Sequence, residues 1–144
     1  MMEKLVRKYY CFFSLISLII GISIYIFFRG LNILLFEWVS KPTIFGIINI
    51  HLPSSILTGI ILYNLPDMLW VLSGLFLLRF IWFNNRKWQN IYIYCFYGVA
   101  FIFETMQLLN NFPGTFDIMD LFFMGIGALF ENLLYKNFIK RRLV

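Results

Sequence analysis

Residues 9–28, YYCFFSLISLIIGISIYIFF, run for twenty positions without a charged side chain. A run of that length commits the chain, because roughly 20 apolar residues in a helix cross a hydrocarbon core about 30 Å thick. Three more stretches read the same way, at about residues 66–83, 91–109 and 117–135. Lipid offers the backbone no partner, so such spans must be helices or strands of a closed barrel, and their length fits helices. Composition agrees: 61% of the 144 residues are hydrophobic, 13% are charged, and the mean hydropathy of +0.81 is far from that of a soluble domain. The expected fold is all-α, a single integral-membrane bundle over residues 1–144 with about four transmembrane helices and a long outer loop.

The N-terminal MMEKLVRKYY is basic like the start of a signal peptide. The apolar run behind it is too long and no small-x-small cleavage site follows, so it is read as a membrane helix. Residues 29–65 are broken by Lys41, Pro42, His51 and Pro53, which predicts an interfacial or re-entrant segment rather than a span. Lys4, Arg7, Lys8, Arg86, Lys87, Lys136, Lys140, Arg141 and Arg142 fall on one side of a four-span topology, with Arg29 and Lys41 opposite. The positive-inside rule then makes both termini cytoplasmic in a multi-pass cell-membrane protein. The net charge of +5 is accordingly assigned to orientation and anionic headgroups, and no nucleic-acid motif accompanies it. The partners expected are the lipid bilayer and an envelope lipid or another membrane protein.

Arg79 lies inside the second span and is predicted to snorkel to the headgroups. Trp38 and Trp70 near one boundary, and Trp82 and Trp88 near the other, read as aromatic belts. Ser14, Ser17 and Gly21 share a face of the first helix, and Gly125 and Ala128 one of the fourth, as close helix packing requires.

The polar residues cluster in FETMQLLNNFPGTFDIMD, residues 103–120. Glu104 and Gln107, then Asp117 and Asp120, are each three residues apart and share helix faces. Asp67, in YNLPDMLW, belongs to the same outer layer, so four of the seven acidic residues gather there. Asn64 as N-cap with Pro66 and Asp67 in the first turn resembles a helix start, and Thr115 or Asp117 can cap the fourth helix. Glu104 is harder to place, near a helix end where the dipole and desolvation both oppose a carboxylate. Three solutions stand open: a protonated Glu104, a cation from the outer loop (Arg29, Lys41 or His51), or a bound cation or hydroxyl-rich ligand. The carboxylates suit a hard cation better than zinc, and His51 reads as a loop or interface residue. No Gly-x-Ser-x-Gly, His-Glu-x-x-His or phosphate-binding glycine loop is present, and nothing in the sequence names a cofactor, a metal or a catalytic residue.

Glu104-x-x-Gln107, then Phe116-Asp117-Ile118-x-Asp120 and Gly127, resemble the VanZ-like family of small bacterial membrane proteins. Leu65 to Trp70, Leu-Pro-Asp-x-Leu-Trp, looks like the start of the preceding helix in related sequences, so the resemblance covers about residues 65–130. The family's turn arginine is missing near Gly114, and Met124 stands where an asparagine is expected. The resemblance implies a four- or five-helix cell-envelope protein, linked through the founding group to glycopeptide resistance, without a settled reaction. Four functions stand as expectations: an accessory or ligand-binding protein with an outward acidic pocket, an integral-membrane enzyme on a lipid-linked envelope substrate, a small ion or solute carrier, or a scaffold subunit whose carboxylates cap helices or hold the loop.

Overall fold

A computed structural model describes residues 2–29, 55–108 and 116–136. They form four helices: α1 (Met2–Ile24), extended by a π-helical turn over Tyr25–Arg29, α2 (Ile56–Ile81), α3 (Arg86–Leu108) and α4 (Ile118–Leu134). No strand occurs among the described residues. Among the described residues three segments, Glu3–Phe28, Thr58–Ile81 and Arg86–Leu108, are long and apolar enough to cross a membrane. Helix α4, with 17 residues, is shorter.

The largest departure from expectation is the start of α2, which lies at Ile56 rather than near Pro66. Ser55 is its N-cap: the Ser55 hydroxyl accepts from the Thr58 N–H at 3.1 Å and lies 2.8 Å from the Thr58 hydroxyl. The reading of Asn64 to Asp67 as a helix start is thereby overturned. Pro66 instead sits buried inside α2, where it withholds a donor from the helix ladder. A proline is tolerated inside a packed helix where neighbouring helices and local backbone adjustment re-satisfy the freed groups. Asn64 bonds back to its own helix, its Nδ2 donating to the Ile60 carbonyl at 2.8 Å. Residues 56–65, assigned to the outer loop, therefore belong to α2; residues 30–54, with Trp38, Lys41 and His51, lie outside the described residues.

Helix α2 is the centre of the bundle. Helix α1 runs antiparallel along it, and Val6 and Tyr10 close a core with Leu69, Leu72 and Phe76. Polar and small residues hold the two helices close. The Ser14 hydroxyl donates to the Ser73 carbonyl at 2.9 Å, and a Cβ added at Gly21 would lie 3.5 Å from that of Leu69. The expected Ser14, Ser17 and Gly21 face is thus the packed one.

Helix α4 lies parallel to α2, seated through Gly127, where an added Cβ would stand 2.9 Å from the Met68 carbonyl oxygen. Gly125, which was expected on the packed face, is exposed with nothing within 4 Å, whereas Ala128 does pack against the core. The reason is angular. At about 100° per residue, Gly127 rather than Gly125 shares a stripe with buried Glu131, one turn on.

Helix α3 makes the lightest contact with the rest. Its Phe96 ring fills the space left by the missing side chain of Gly74, and Ile93 joins Val71 and Leu75 in a second cluster. Much of the remaining α3 surface is apolar and exposed, including Tyr94, Val99, Phe101, Ile102 and Phe103. Such a surface is stable against hydrocarbon and would be a liability in water.

Candidate functional site

The bundle carries polar side chains in two layers, one toward each end. The acidic layer lies where α3 ends and α4 begins. There α4 is capped by Asp117, whose Oδ1 accepts from the Met119 N–H at 2.9 Å, as its sequence position predicts. Glu104 is buried, 4% exposed, and its Oε1 accepts from the Asp117 N–H at 3.2 Å.

This contact answers part of the question posed by Glu104. Its carboxylate faces the N-terminus of α4, where free N–H groups and the helix dipole present partial positive charge. That solution differs from the three weighed from sequence, because the partner is backbone on the next helix. Lys41 and His51 lie outside the described residues, as does the Arg29 side chain.

Two more carboxyls stand in the same layer. Asp67, Glu104 and Asp117 all lie close enough to Asp120 to act on its charge. The Tyr25 hydroxyl, from the π-helical turn after α1, donates to Asp67 Oδ1 at 3.5 Å. Asn64, one turn before Asp67, is 3% exposed, and its Oδ1 has no hydrogen-bond partner among the described residues. Gln107 is partly buried on α3, three residues beyond Glu104.

Of the residues singled out in the sequence, Asp67, Glu104, Asp117 and Asp120 thus come from α2, α3 and the start of α4 to one place. Among the described residues no three His, Cys, Asp or Glu side chains are grouped so as to hold a metal ion. The carboxylates described in this layer accept hydrogen bonds, so the chemistry that suits them is a donor: an ammonium, a hydroxyl or a proton.

The second layer was not anticipated. Arg79, expected to reach for the headgroups, is buried and paired with Glu131 of α4. Its Nε donates to Oε1 at 2.9 Å and its Nη2 to Oε2 at 3.3 Å, a forked contact that fits a guanidinium to a carboxylate. Nη1 donates to Gln89 Oε1 at 2.9 Å, and Gln89 Nε2 donates back to the Arg79 carbonyl at 3.3 Å. Tyr135 lies under the guanidinium, 3.9 Å from ring centroid to Cζ. Snorkelling is not needed when a carboxylate waits at the same depth.

Between the layers α2 presents Leu69, Val71, Leu72, Leu75 and Phe76, all buried and apolar. Helix rise alone puts about 18 Å between Asp67 and Arg79. At intermediate depth the Ser14 hydroxyl bonds to Ser73, and Ser17 is also buried.

Replacing Glu104 tests what it does in the acidic layer. Glu104→Gln keeps an acceptor for the Asp117 N–H and is expected to leave stability nearly unchanged. Glu104→Leu strands that donor and is expected to cost about 1–3 kcal/mol. Amide exchange at Asp117 is the local readout, faster in the leucine variant alone.

Comparison with family models, with curated proteins and with solved structures yields no match. The function must therefore be argued from the residues and their placement.

Proposed function

We propose that the chain is a VanZ-like, multi-pass protein of the bacterial cell envelope, crossing the membrane four times with both termini cytoplasmic. Its acidic layer, facing outward, binds a donor-rich ligand: the ammonium or polyol headgroup of an envelope lipid. The role is accessory rather than catalytic. The observation that carries this reading is the convergence of Asp67, Glu104 and Asp120 from three helices, with Asn64 one turn before Asp67 holding a buried Oδ1 that has no hydrogen-bond partner among the described residues. Acceptors gathered at such density repel one another unless a cation, a proton or a hydroxylated group joins them.

Charge supports this topology. Lys4, Arg7, Lys8, Arg86, Lys87 and Lys136 flank the ends opposite the acidic layer, which the positive-inside rule puts in the cytoplasm. For α4, 17 residues rise about 26 Å, which suffices for a thin or locally thinned bilayer. The apolar packing between the layers favours binding from one side over passage through the bundle.

The test uses two probes without phosphate, oleylamine and monoolein, added to the purified protein in mixed micelles. At about 100 times Kd a ligand is expected to raise the unfolding temperature by about 5–10 °C. Asp120→Asn is expected to abolish that shift while leaving the helical signal intact. No shift with either probe, or a shift that survives Asp120→Asn together with Asp67→Asn, sinks the proposal.

A further inference from the structure

The arginine layer borders a cavity of about 180 Å³ between α2, α3 and α4. It is lined by Arg79, Asn90, Tyr94, Tyr97, Asn132 and Tyr135, with Ile93 and Glu131 completing the wall. That volume is several times the roughly 30 Å³ occupied by one water in the liquid. It can receive a polyatomic group.

We propose that this cavity holds the phosphodiester headgroup of an anionic phospholipid. Its lining supplies donors of the kind that phosphate oxygens accept: a guanidinium, two amides and three phenols. Arg79 spends three N–H groups on Glu131 and Gln89, and its other donors have no acceptor among the described residues. Its charge is balanced by Glu131. A second guanidinium, that of Arg86, lies 5.3 Å from the centroid of the same Tyr135 ring and has no ion-pair partner among the described residues. Two cations and one carboxylate leave one positive charge, which matches a diester bearing one negative charge.

Depth selects a lipid over a soluble phosphate. At the same end of the bundle the Trp82 and Tyr92 rings stack at 4.7 Å, with Trp88 6.2 Å from Trp82. Aromatic groups of this kind mark the headgroup level of a bilayer. Tyr94, on the cavity wall, is 73% exposed on the apolar face of α3, where acyl chains would lie. This site is at the opposite end from the acidic layer, and it stands or falls independently of the function proposed for that layer.

The experiment is native mass spectrometry of delipidated full-length protein, titrated with dioleoylphosphatidylglycerol, with diolein or with inorganic phosphate. One phosphatidylglycerol is expected to bind at least about five-fold more tightly than diolein, and Arg86→Gln is expected to remove about that factor. Asn90→Phe, which fills the cavity from a surface position, should weaken it as well. Both substitutions are at exposed residues, so folding is preserved and can be verified by the helical signal. Equal binding of diolein and phosphatidylglycerol, or unchanged binding in both variants, overturns the proposal. Displacement of the lipid by equimolar inorganic phosphate reassigns the cavity to a soluble anion and also overturns it.

Discussion

Arg79→Met and Glu131→Leu are each expected to destabilise the protein by about 3–5 kcal/mol, and the double variant by much less than the sum. Glu131 is fully buried and the Arg79 side chain is 8% exposed, so either single substitution leaves an uncompensated charge inside the bundle. Replacing both removes the two desolvation penalties together and leaves apolar side chains between α2 and α4. Gln89 would then lose its Nη1 donor but keep its own bond to the Arg79 backbone carbonyl, which any residue at that position supplies. A double-substitution cycle in reversible detergent unfolding measures the coupling. If the single variants are no less stable than the double, the pair does not hold the helices together.

Gly127→Val should cost about 1–3 kcal/mol by overpacking, whereas Gly125→Ala should be neutral or slightly stabilising. At Gly127 a Cβ would meet backbone of α2, the Met68 oxygen, at 2.9 Å and the Met68 Cγ at 3.0 Å. Backbone cannot rotate aside as a side-chain tip can, so α2 and α4 must separate. The Arg79–Glu131 fork, one turn further along α4, would be stretched by the same movement. At Gly125 the new methyl meets nothing within 4 Å, and alanine is the better helix former. Thermal unfolding of the two variants side by side gives the contrast.

The helical, membrane-type character was legible because uninterrupted apolar runs admit few other structures. Asp117 as the α4 cap was legible for a local reason: an aspartate before an apolar helix has one strongly preferred use. The start of α2 was not. Pro66 behind Asn64 carries every local sign of a helix beginning, yet tertiary packing keeps proline inside α2 and lets Ser55 provide the cap. Local preference is worth about a kilocalorie at a cap, and burial of a long apolar face outweighs it.

The acidic convergence was half visible. Equal depth of Asp67, Glu104 and Asp120 follows from helix direction, but the Glu104 bond to a backbone N–H depends on how α3 and α4 are rotated, which spacing does not determine. The Arg79–Glu131 pair was missed although a signal existed. Each lies within about one turn of the same end of its helix, and a buried cation should be checked against every carboxylate at its own depth before it is assigned to the headgroups.

Helix α3 adds least to the packing, so the tightly joined part of the bundle is made from α1, α2 and α4, which are not consecutive in the chain. During synthesis, Arg79 precedes its partner by 52 residues. Until α4 is made, the neutral amide of Gln89 on α3 is the side-chain acceptor available to Arg79 among the described residues, and its carboxylate comes last. A chain cut short before Glu131 would keep most of its apolar sequence and hold a buried arginine without its carboxylate.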